Sequence, residues 1–218
     1  MYQVQPEGSS DTYMLGKVVC IGRNYFDHIK ELENEIPDQP VLFIKPTTSI
    51  ICDGGQIEIP PVSTDCHHEL ELAVLIGKTA KKISEQDAMD CVAGYGIGID
   101  LTLRDIQSSQ KKKGLPWEIA KGFDTSCPLS HFVAASRIAD PHNLQMTLTV
   151  NGEIRQNGSS ALMMRKIPQI ISAASQYFTL LPGDIVLTGT PAGVSQISSG
   201  DVIKAKIDQL GELHVSVL

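Results

Sequence analysis

The sequence predicts an α+β protein that is rich in strands, with a few helices at its periphery. Short apolar segments bounded by Gly, Pro, Asp and Asn recur along the chain, a pattern typical of strands. An Asn-Gly pair at 151–152 lies between two such segments and is the strongest local signal for a β-hairpin. Because strands and helices do not alternate regularly, a doubly wound parallel sheet is not expected.

Composition favours one globular domain that needs no disulfides. The chain has 218 residues, 42% of them hydrophobic, and a chain of this length buries roughly 70% of its unfolded surface. Its net charge of −7 argues against nucleic acid or an anionic membrane as a partner. The five cysteines form no CxxC pair, and no apolar run is long enough for a membrane span. We therefore expect a soluble protein of a reducing compartment, the cytoplasm or an organelle matrix.

The individual elements follow from local patterns in chain order. Residues 1–16 are expected to form an N-terminal segment, and residues 17–218 a single domain. Strands are predicted where apolar runs lie between turn residues, at 17–22, 41–46, 69–77, 94–100 and 184–189. Hairpins are predicted at 146–156, around Asn151-Gly152, and at 201–218, around Gly211. Helices are predicted at 24–34, 84–92, 102–113 and 160–178, with Pro168 near the first turns of the last one.

Two glutamates on the strand at 69–77 are the most informative feature. Side chains alternate along a strand, so Glu69 and Glu71 share one face while Leu70 and Leu72 share the other. Two like charges beside a hydrophobic face are costly unless the polar face is wet, the carboxylates titrate or a cation lies between them. Spacing alone leaves open both a solvated edge strand and a site for Mg²⁺, Mn²⁺ or Ca²⁺.

A third carboxylate favours the metal site. Asp100 ends the apolar, Gly-rich segment at 94–100, and an acid that closes a buried strand seldom lacks a partner. In the alternative interpretation, Asp100 caps the helix that follows. His67 and His68 are adjacent and face opposite sides of a strand, so at most one of them could join the carboxylates.

A histidine and a glutamate on the first predicted helix form a candidate general base. His28 and Glu31 are three residues apart, a spacing at which a carboxylate can orient an imidazole and stabilise its charge. Solvated helices often carry the same pair without a function. Lys121 precedes a loop of Gly, Ser and Pro and could reach into a site as a cation, although surface lysines are commoner. The lysines at 111–113 are expected to be a solvated helix end.

Taken together, six motifs resemble the fumarylacetoacetate hydrolase family, and within it the short acylpyruvase-type members. They are GRNYxxHxxE, PVLFIKP, HHELELAV, DLTLRDIQ, KKKGLPWxxAKxFDxSCPLS and LTGTPxGV, in order from about residue 17 to the C-terminus. The resemblance implies a mixed β-roll or β-sandwich fold, usually a homodimer, with Mg²⁺ or Mn²⁺ held by Glu69, Glu71 and Asp100. The chain departs from the family pattern at Ser195-Gln196, where relatives often have Gly-Pro, and this departure bears on substrate preference.

The resemblance also implies roles for further residues. The expected catalytic residues are His28, Glu31, Lys121 and Gln107, the last of which helps to place water. The expected substrate-binding or supporting residues are Arg23, Lys45, Arg104 and Thr190.

The expected reaction is metal-dependent hydrolysis of an acylpyruvate, such as acetylpyruvate or fumarylpyruvate, to pyruvate and a carboxylic acid. The alternatives use the same metal-bound enolate: decarboxylation or tautomerisation of oxaloacetate, or isomerisation of a 2-hydroxyhepta-2,4-diene-1,7-dioate. A noncatalytic protein with a structural cation site is a further alternative, but it leaves His28, Glu31 and Lys121 unexplained.

Overall fold

The computed structural model describes residues 2–218. Strands make up 39% of the structure and helices 22%. In chain order the strands are β1 (Gln3–Val4), β2 (Tyr13–Met14), β3 (Val18–Gly22), β4 (Val41–Lys45), β5 (Ile50–Cys52), β6 (Gln56–Ile57), β7 (Cys66–His68), β8 (Leu70–Ile76), β9 (Val92–Ile99), β10 (Thr102–Leu103), β11 (Cys127–Ala134), β12 (Gln145–Val150), β13 (Glu153–Ser159), β14 (Ile185–Leu187), β15 (Ser195–Ile197), β16 (Val202–Ile207) and β17 (Gly211–Val217). The helices are α1 (Phe26–Glu31), α2 (Glu85–Ala88), α3 (Arg104–Lys113), α4 (Glu118–Lys121) and α5 (Ile167–Tyr177). The predicted strand-rich α+β class is confirmed.

The largest sheet has seven strands in the order β4-β3-β14-β8-β9-β11-β5. Its neighbours are antiparallel except for two parallel pairs, β14 with β3 and β11 with β5. Strand β8 lies at the centre, between β14 and β9, and all seven of its residues are buried. A solvated edge strand was one interpretation of the acidic segment, and it is wrong, because both faces of β8 are covered.

Three smaller sheets complete the fold, with orders β13-β12-β16-β17-β6, β10-β7-β15 and β1-β2. Both predicted hairpins are confirmed, as β12–β13 and β16–β17. Asn151 and Gly152 have φ angles of 52° and 82°, the left-handed values that a type I′ turn requires at both positions. Gly211 likewise has a φ of 84° at the start of β17.

The predicted helices are shorter in the structure. Helix α1 begins only at Phe26 because Tyr25 is extended and forms a bridge with Met163. Helix α3 begins at Arg104 because the two preceding residues pair with β7 as β10. Helix α5 begins at Ile167, with the proline in its first turn, where a missing N–H is tolerated. The four-residue helix α4 was not predicted.

The main hydrophobic core combines side chains of the central strands, of the five-stranded sheet and of α5. Helix α5 contributes Ile167, Ile170 and Ile171, and β8 and β9 contribute side chains such as Leu72 and Ile97. All are fully buried, so the core fixes the sheet whose strand ends carry the site.

Residues 2–16 pack against the rest of the chain. Glu7 N donates to Phe132 O over 2.8 Å, and Leu15 is buried with side chains of the large sheet. All five cysteines are free thiols. In the part of the chain that the structure describes, no helix has the length and apolar character to cross a membrane.

Candidate active site

Three carboxylates meet where β8 begins and β9 ends. Glu71 lies on β8 opposite Gly98, and Asp100 directly follows β9. The Asp100 amide donates to the carbonyl of Glu69 over 2.8 Å, which holds the two chain segments together. One oxygen of each carboxylate lies within 4.8 Å of the others, and each residue is at most 5% exposed. The three predicted ligand residues are therefore brought together in the interior.

Lys121 neutralises part of this cluster. Its Nζ donates to Glu69 Oε2 over 2.9 Å, to Asp100 Oδ2 over 2.6 Å and to Thr102 Oγ1 over 2.6 Å. Burial opposes the charge of the ammonium, but the carboxylates of Asp100 and Glu69 outweigh it and raise the pKa of Lys121. Burial likewise opposes ionisation of Glu69, but Lys121 and Arg104 hold its pKa well below the usual range. Both partners are thus charged.

Lys45 lies behind Asp100 and is fully buried. Its Nζ donates to Leu101 O over 3.2 Å and to Ser126 O over 3.0 Å, and it also contacts the carbonyl of Lys121. It lies 2.9 Å from Asp100 Oδ1, outside hydrogen-bonding geometry. The sequence analysis expected Lys45 to bind substrate or to support the site, and the structure places it beside a carboxylate of the cluster.

A divalent cation fits this donor set. Within residues 2–218, the carboxylate of Glu71 accepts one hydrogen bond, from the amide of Gly189 over 2.6 Å, and none from Lys121. Burial and then the charges of Asp100 and Glu69 raise the pKa of Glu71 well above its usual range. A cation beside Glu71 would remove that penalty, and three carboxylate oxygens suit Mg²⁺ or Mn²⁺.

The two neighbouring histidines have other partners. His68 Nδ1 lies 3.0 Å from Gln156 Oε1, and its Nε2 lies 2.9 Å from Ser195 Oγ. Burial lowers the pKa of His68 to about 4, so it is neutral near pH 7. His67 Nε2 lies 2.8 Å from Asp65. Among residues 2–218, the cluster of candidate metal ligands includes no histidine.

His28 and Glu31 form the predicted pair on α1. His28 Nδ1 lies 3.2 Å from Glu31 Oε2, and Glu31 Oε1 accepts a hydrogen bond of 2.9 Å from Gly193 N. Partial burial opposes ionisation, but the hydrogen bonds from His28 and Gly193 lower the pKa of Glu31. Because an ionised Glu31 accepts a hydrogen bond from Nδ1–H, Nε2 of His28 is left unprotonated and free to act as a base.

One residue of the dyad, His28, and one of the three carboxylates, Glu69, line a common cleft. Its walls consist of Gly22, Arg23, His28, Leu32, Asn34, Phe43, Glu69, Arg104, Gln107, Lys111, Trp117 and Lys121. Its free volume is about 30 Å³, room for about one water molecule. Arg104 is paired with Glu69 and donates to Gln107 Oε1 over 2.8 Å, which orients the predicted glutamine at the cleft wall.

The loop at 188–193 connects the dyad to the carboxylate cluster. Its amides bind Glu71 through Gly189 and Glu31 through Gly193. Gln156, fully buried on β13, holds this loop by donating to Thr190 Oγ1 over 2.8 Å and to the carbonyl of residue 191 over 2.9 Å. Thr190 is therefore a support of the loop and is not among the residues that line the cleft.

Gln156 and Lys111 were missed by the sequence analysis. Most of the other residues of β13 are exposed, so no local pattern indicates that Gln156 is buried. Lys111 was expected to be solvated, and this was wrong: it is half-buried, and its Nζ lies 5.3 Å from the centre of the Trp117 ring. A signal existed, because residues 104, 107 and 111 have the i, i+3, i+7 spacing of one helix face.

A strand-rich fold that buries three carboxylates, one of which lines a cleft together with a histidine paired to a glutamate, defines the class of metal-dependent enzymes. The chain belongs to the fumarylacetoacetate hydrolase family, since the family model described as "Fumarylacetoacetate (FAA) hydrolase C-terminal" matches residues 17–218. The resemblance inferred from the motifs is thereby confirmed.

Two curated relatives and one solved structure illustrate the similarity. The chain is 50% identical to oxaloacetate tautomerase FAHD1, mitochondrial, of Bos taurus over 190 residues, 87% of this chain and 86% of the relative. It is also 50% identical to oxaloacetate tautomerase YcgM of Escherichia coli K12 over 204 residues, 93% of each chain. The structure of fumarylpyruvate hydrolase from Pseudomonas aeruginosa, in complex with Mn²⁺ and pyruvate, is 34% identical and has a TM-score of 0.94, covering 100% of this chain and 95% of the other.

Proposed function

We propose that this chain is a metal-dependent oxaloacetate tautomerase, which interconverts the keto and enol forms of that acid. The observation that carries the proposal is that His28, paired with Glu31, lines the same cleft as Glu69 of the buried carboxylate cluster. The names of the two curated relatives support oxaloacetate as the substrate. The sequence analysis expected hydrolysis and gave tautomerisation of oxaloacetate as an alternative; the names of the relatives favour this alternative.

Tautomerisation transfers one proton between C3 and the oxygen on C2. His28 Nε2 takes the proton from C3 of the keto form, the C–H electron pair becomes the C2–C3 double bond, and the C2 oxygen becomes an enolate. Glu31 stabilises the imidazolium that results. The imidazolium then gives its proton to the C2 oxygen, directly or by way of solvent, which completes the enol, restores neutral His28 and leaves no net change of atoms.

Glu69, Glu71 and Asp100 would hold the divalent cation, Mg²⁺ or Mn²⁺. Lewis-acid stabilisation of an enolate is the chemistry that such a cation supplies when bound. Lys121 adds a fixed positive charge beside the same carboxylates, and a fixed charge in a site from which water is largely excluded strongly stabilises a developing anion.

Decay of enol-oxaloacetate, followed by its ultraviolet absorbance, tests this proposal. With Mg²⁺ the protein should accelerate the decay, and EDTA should abolish the effect. His28→Ala should lose at least about 100-fold in kcat, whereas His131→Ala, a change of an exposed histidine on β11, should leave kcat unchanged. Activity that persists in EDTA or in His28→Ala would refute the proposal.

Acylpyruvate hydrolysis is the second candidate, and a separate observation favours it. The same dyad could activate water, with Gln107 in the cleft wall to help position it. The P. aeruginosa neighbour, whose fold covers the whole of this chain, is a fumarylpyruvate hydrolase. Hydrolysis needs an attacking water, whereas tautomerisation needs none.

Pyruvate release separates the candidates. Metal-dependent release from acetylpyruvate or fumarylpyruvate would support hydrolysis, and release from oxaloacetate would indicate decarboxylation. A protein that tautomerises oxaloacetate without releasing pyruvate from any of the three substrates is a tautomerase alone. The homodimer implied by the family resemblance stays a prediction, which light scattering in solution would test.

A further inference from the structure

Two cations of the cleft, Arg23 and Lys111, lack a counter-charge. Both are half-buried and line the cleft. Within residues 2–218, neither forms an ion pair with a carboxylate. They share a neutral partner, the amide oxygen of Asn34, which lies 3.1 Å from Arg23 Nη2 and 3.4 Å from Lys111 Nζ.

The remaining cations of the cleft are neutralised. Arg104 pairs with Glu69, and Lys121 pairs with both Glu69 and Asp100. The excess of positive charge is therefore localised on the wall formed by Arg23 and Lys111.

Their surroundings make this excess costly. Burial, and next the charge of Arg23, lower the pKa of Lys111 to about 8. Arg23 Nε is buried and has no hydrogen-bond partner in the part of the chain that the structure describes. Arg23 also has a φ of 59°, a left-handed conformation that non-glycine residues seldom adopt and that is concentrated at functional sites. An anion between the two side chains would satisfy both the charge and the free donors.

We infer that Arg23 and Lys111, aligned by Asn34, bind the distal carboxylate of a dicarboxylic 2-oxo acid. The inference rests on the proposed function, because it takes the other end of the substrate to lie at the carboxylate cluster. The guanidinium of Arg23 offers planar, paired donors to a carboxylate, and the ammonium of Lys111 adds a point charge. The site thus selects substrates with two carboxylates over those with one.

Oxaloacetate and 2-oxobutanoate form a matched pair of probes for this subsite. Both have the same 2-oxo acid end, but 2-oxobutanoate has a methyl group where oxaloacetate has its distal carboxylate. The dissociation constants of both are measured by calorimetry on the Mg²⁺-loaded protein. Lys111→Met is compared with Lys112→Met, which removes the same charge from an exposed residue one position further along α3.

The wild-type protein should bind oxaloacetate at least about 10-fold more tightly than 2-oxobutanoate. Lys111→Met should weaken oxaloacetate binding by about 10-fold to 100-fold and change 2-oxobutanoate binding by no more than about twofold. Lys111→Arg should retain most of the preference, and Lys112→Met all of it. Arg23→Gln should act as Lys111→Met does.

Equal affinity of the wild-type protein for the two acids would overturn the inference. Equal weakening of both acids by Lys111→Met, or of neither, would also overturn it. The enol-decay assay on the same preparations keeps this result separate from the proposed function. A preference for oxaloacetate that depends on Lys111, in a protein without tautomerase activity, would refute the reaction but retain the subsite.

Discussion

Replacing Glu71 by glutamine should separate the stability of the fold from its affinity for metal. The amide oxygen of glutamine can still accept the hydrogen bond from Gly189 N that Glu71 accepts over 2.6 Å. The charge is lost, however, at a position where burial and two neighbouring carboxylates already raise the pKa of the side chain. In EDTA we therefore expect Glu71→Gln to be at least as stable as the wild type.

The separations in the cluster set the size of the effect. Two unit charges 4.8 Å apart repel each other by about 3 kcal/mol at an effective dielectric constant of about 20. Protonation of Glu71 and the charge of Lys121 relieve part of this repulsion, so we expect a gain of about 1 kcal/mol. For a domain of this size, about 1 kcal/mol corresponds to a rise in Tm of about 2–4 °C.

Mg²⁺ should stabilise the wild type much more than the Glu71→Gln variant. At 100 times its Kd, a ligand stabilises the folded state by about 2.7 kcal/mol, a rise in Tm of about 5–11 °C. The wild type should show this rise and Glu71→Gln should lose most of it. Scanning calorimetry in EDTA and in Mg²⁺ gives both numbers.

Glu153→Gln is the matched control, because the side chain of Glu153 is exposed and forms an ion pair with Arg155. The Tm of this variant should equal that of the wild type both in EDTA and in Mg²⁺. A Glu71→Gln protein that melts well below the wild type in EDTA would refute the electrostatic reasoning. A full Mg²⁺ response in that variant would show that Glu71 is not a metal ligand.

Three further predictions concern groups around the cluster. The pKa of Glu71 is raised in the folded protein. The stability that this contributes is complete below the unfolded pKa of about 4.3 and is lost as pH rises through the folded pKa. In EDTA, the Tm of Glu71→Gln should therefore exceed that of the wild type by an amount that grows as pH rises above about 4.3. Lys45→Met should destabilise the protein by about 3–5 kcal/mol in chemical denaturation, because it leaves Asp100 partly unpaired in the interior. Gln156→Leu should lower the free energy of unfolding by about 2–3 kcal/mol and reduce kcat more than it raises KM, since it releases the loop that holds Glu31 and Glu71.

These predictions have their own controls. A difference in Tm between wild type and Glu71→Gln that does not change with pH would refute the first. Lys204→Met, a change of a lysine whose side chain is half exposed, should lose no more than about 0.5 kcal/mol, and an equal loss in Lys45→Met would contradict the second. For the third, a Gln156→Leu variant with wild-type kcat would show that the loop needs no support from β13.

Local chemistry explains what the sequence could predict. The Asn151-Gly152 turn depends only on the φ angles of two residues, and the His28–Glu31 pair depends only on the pitch of a helix. The carboxylates at 69 and 71 were recognisable because two acids inside an apolar run are costly in any fold.

The remainder depends on partners far away in the chain. The parallel pairing of β3 with β14 joins residues 18–20 to 185–187, and no local pattern encodes that register. The helix predicted to begin at residue 102 begins two residues later because Thr102 pairs with His67. Lys111 was wrongly predicted to be solvated. Its burial depends on Trp117 and Asn34, which lie outside α3 and contact it in the folded chain.

The ammonium of Lys121, held between Glu69 and Asp100, bears on how a newly made chain matures. In many small metalloproteins, the metal ion supplies the energy that folds the chain, so synthesis and metal delivery are coupled. Here the polypeptide carries its own cation to the most acidic point of its interior. The chain can therefore fold before it binds metal. A chelator should abolish the activity while the protein stays folded, and added metal should restore the activity.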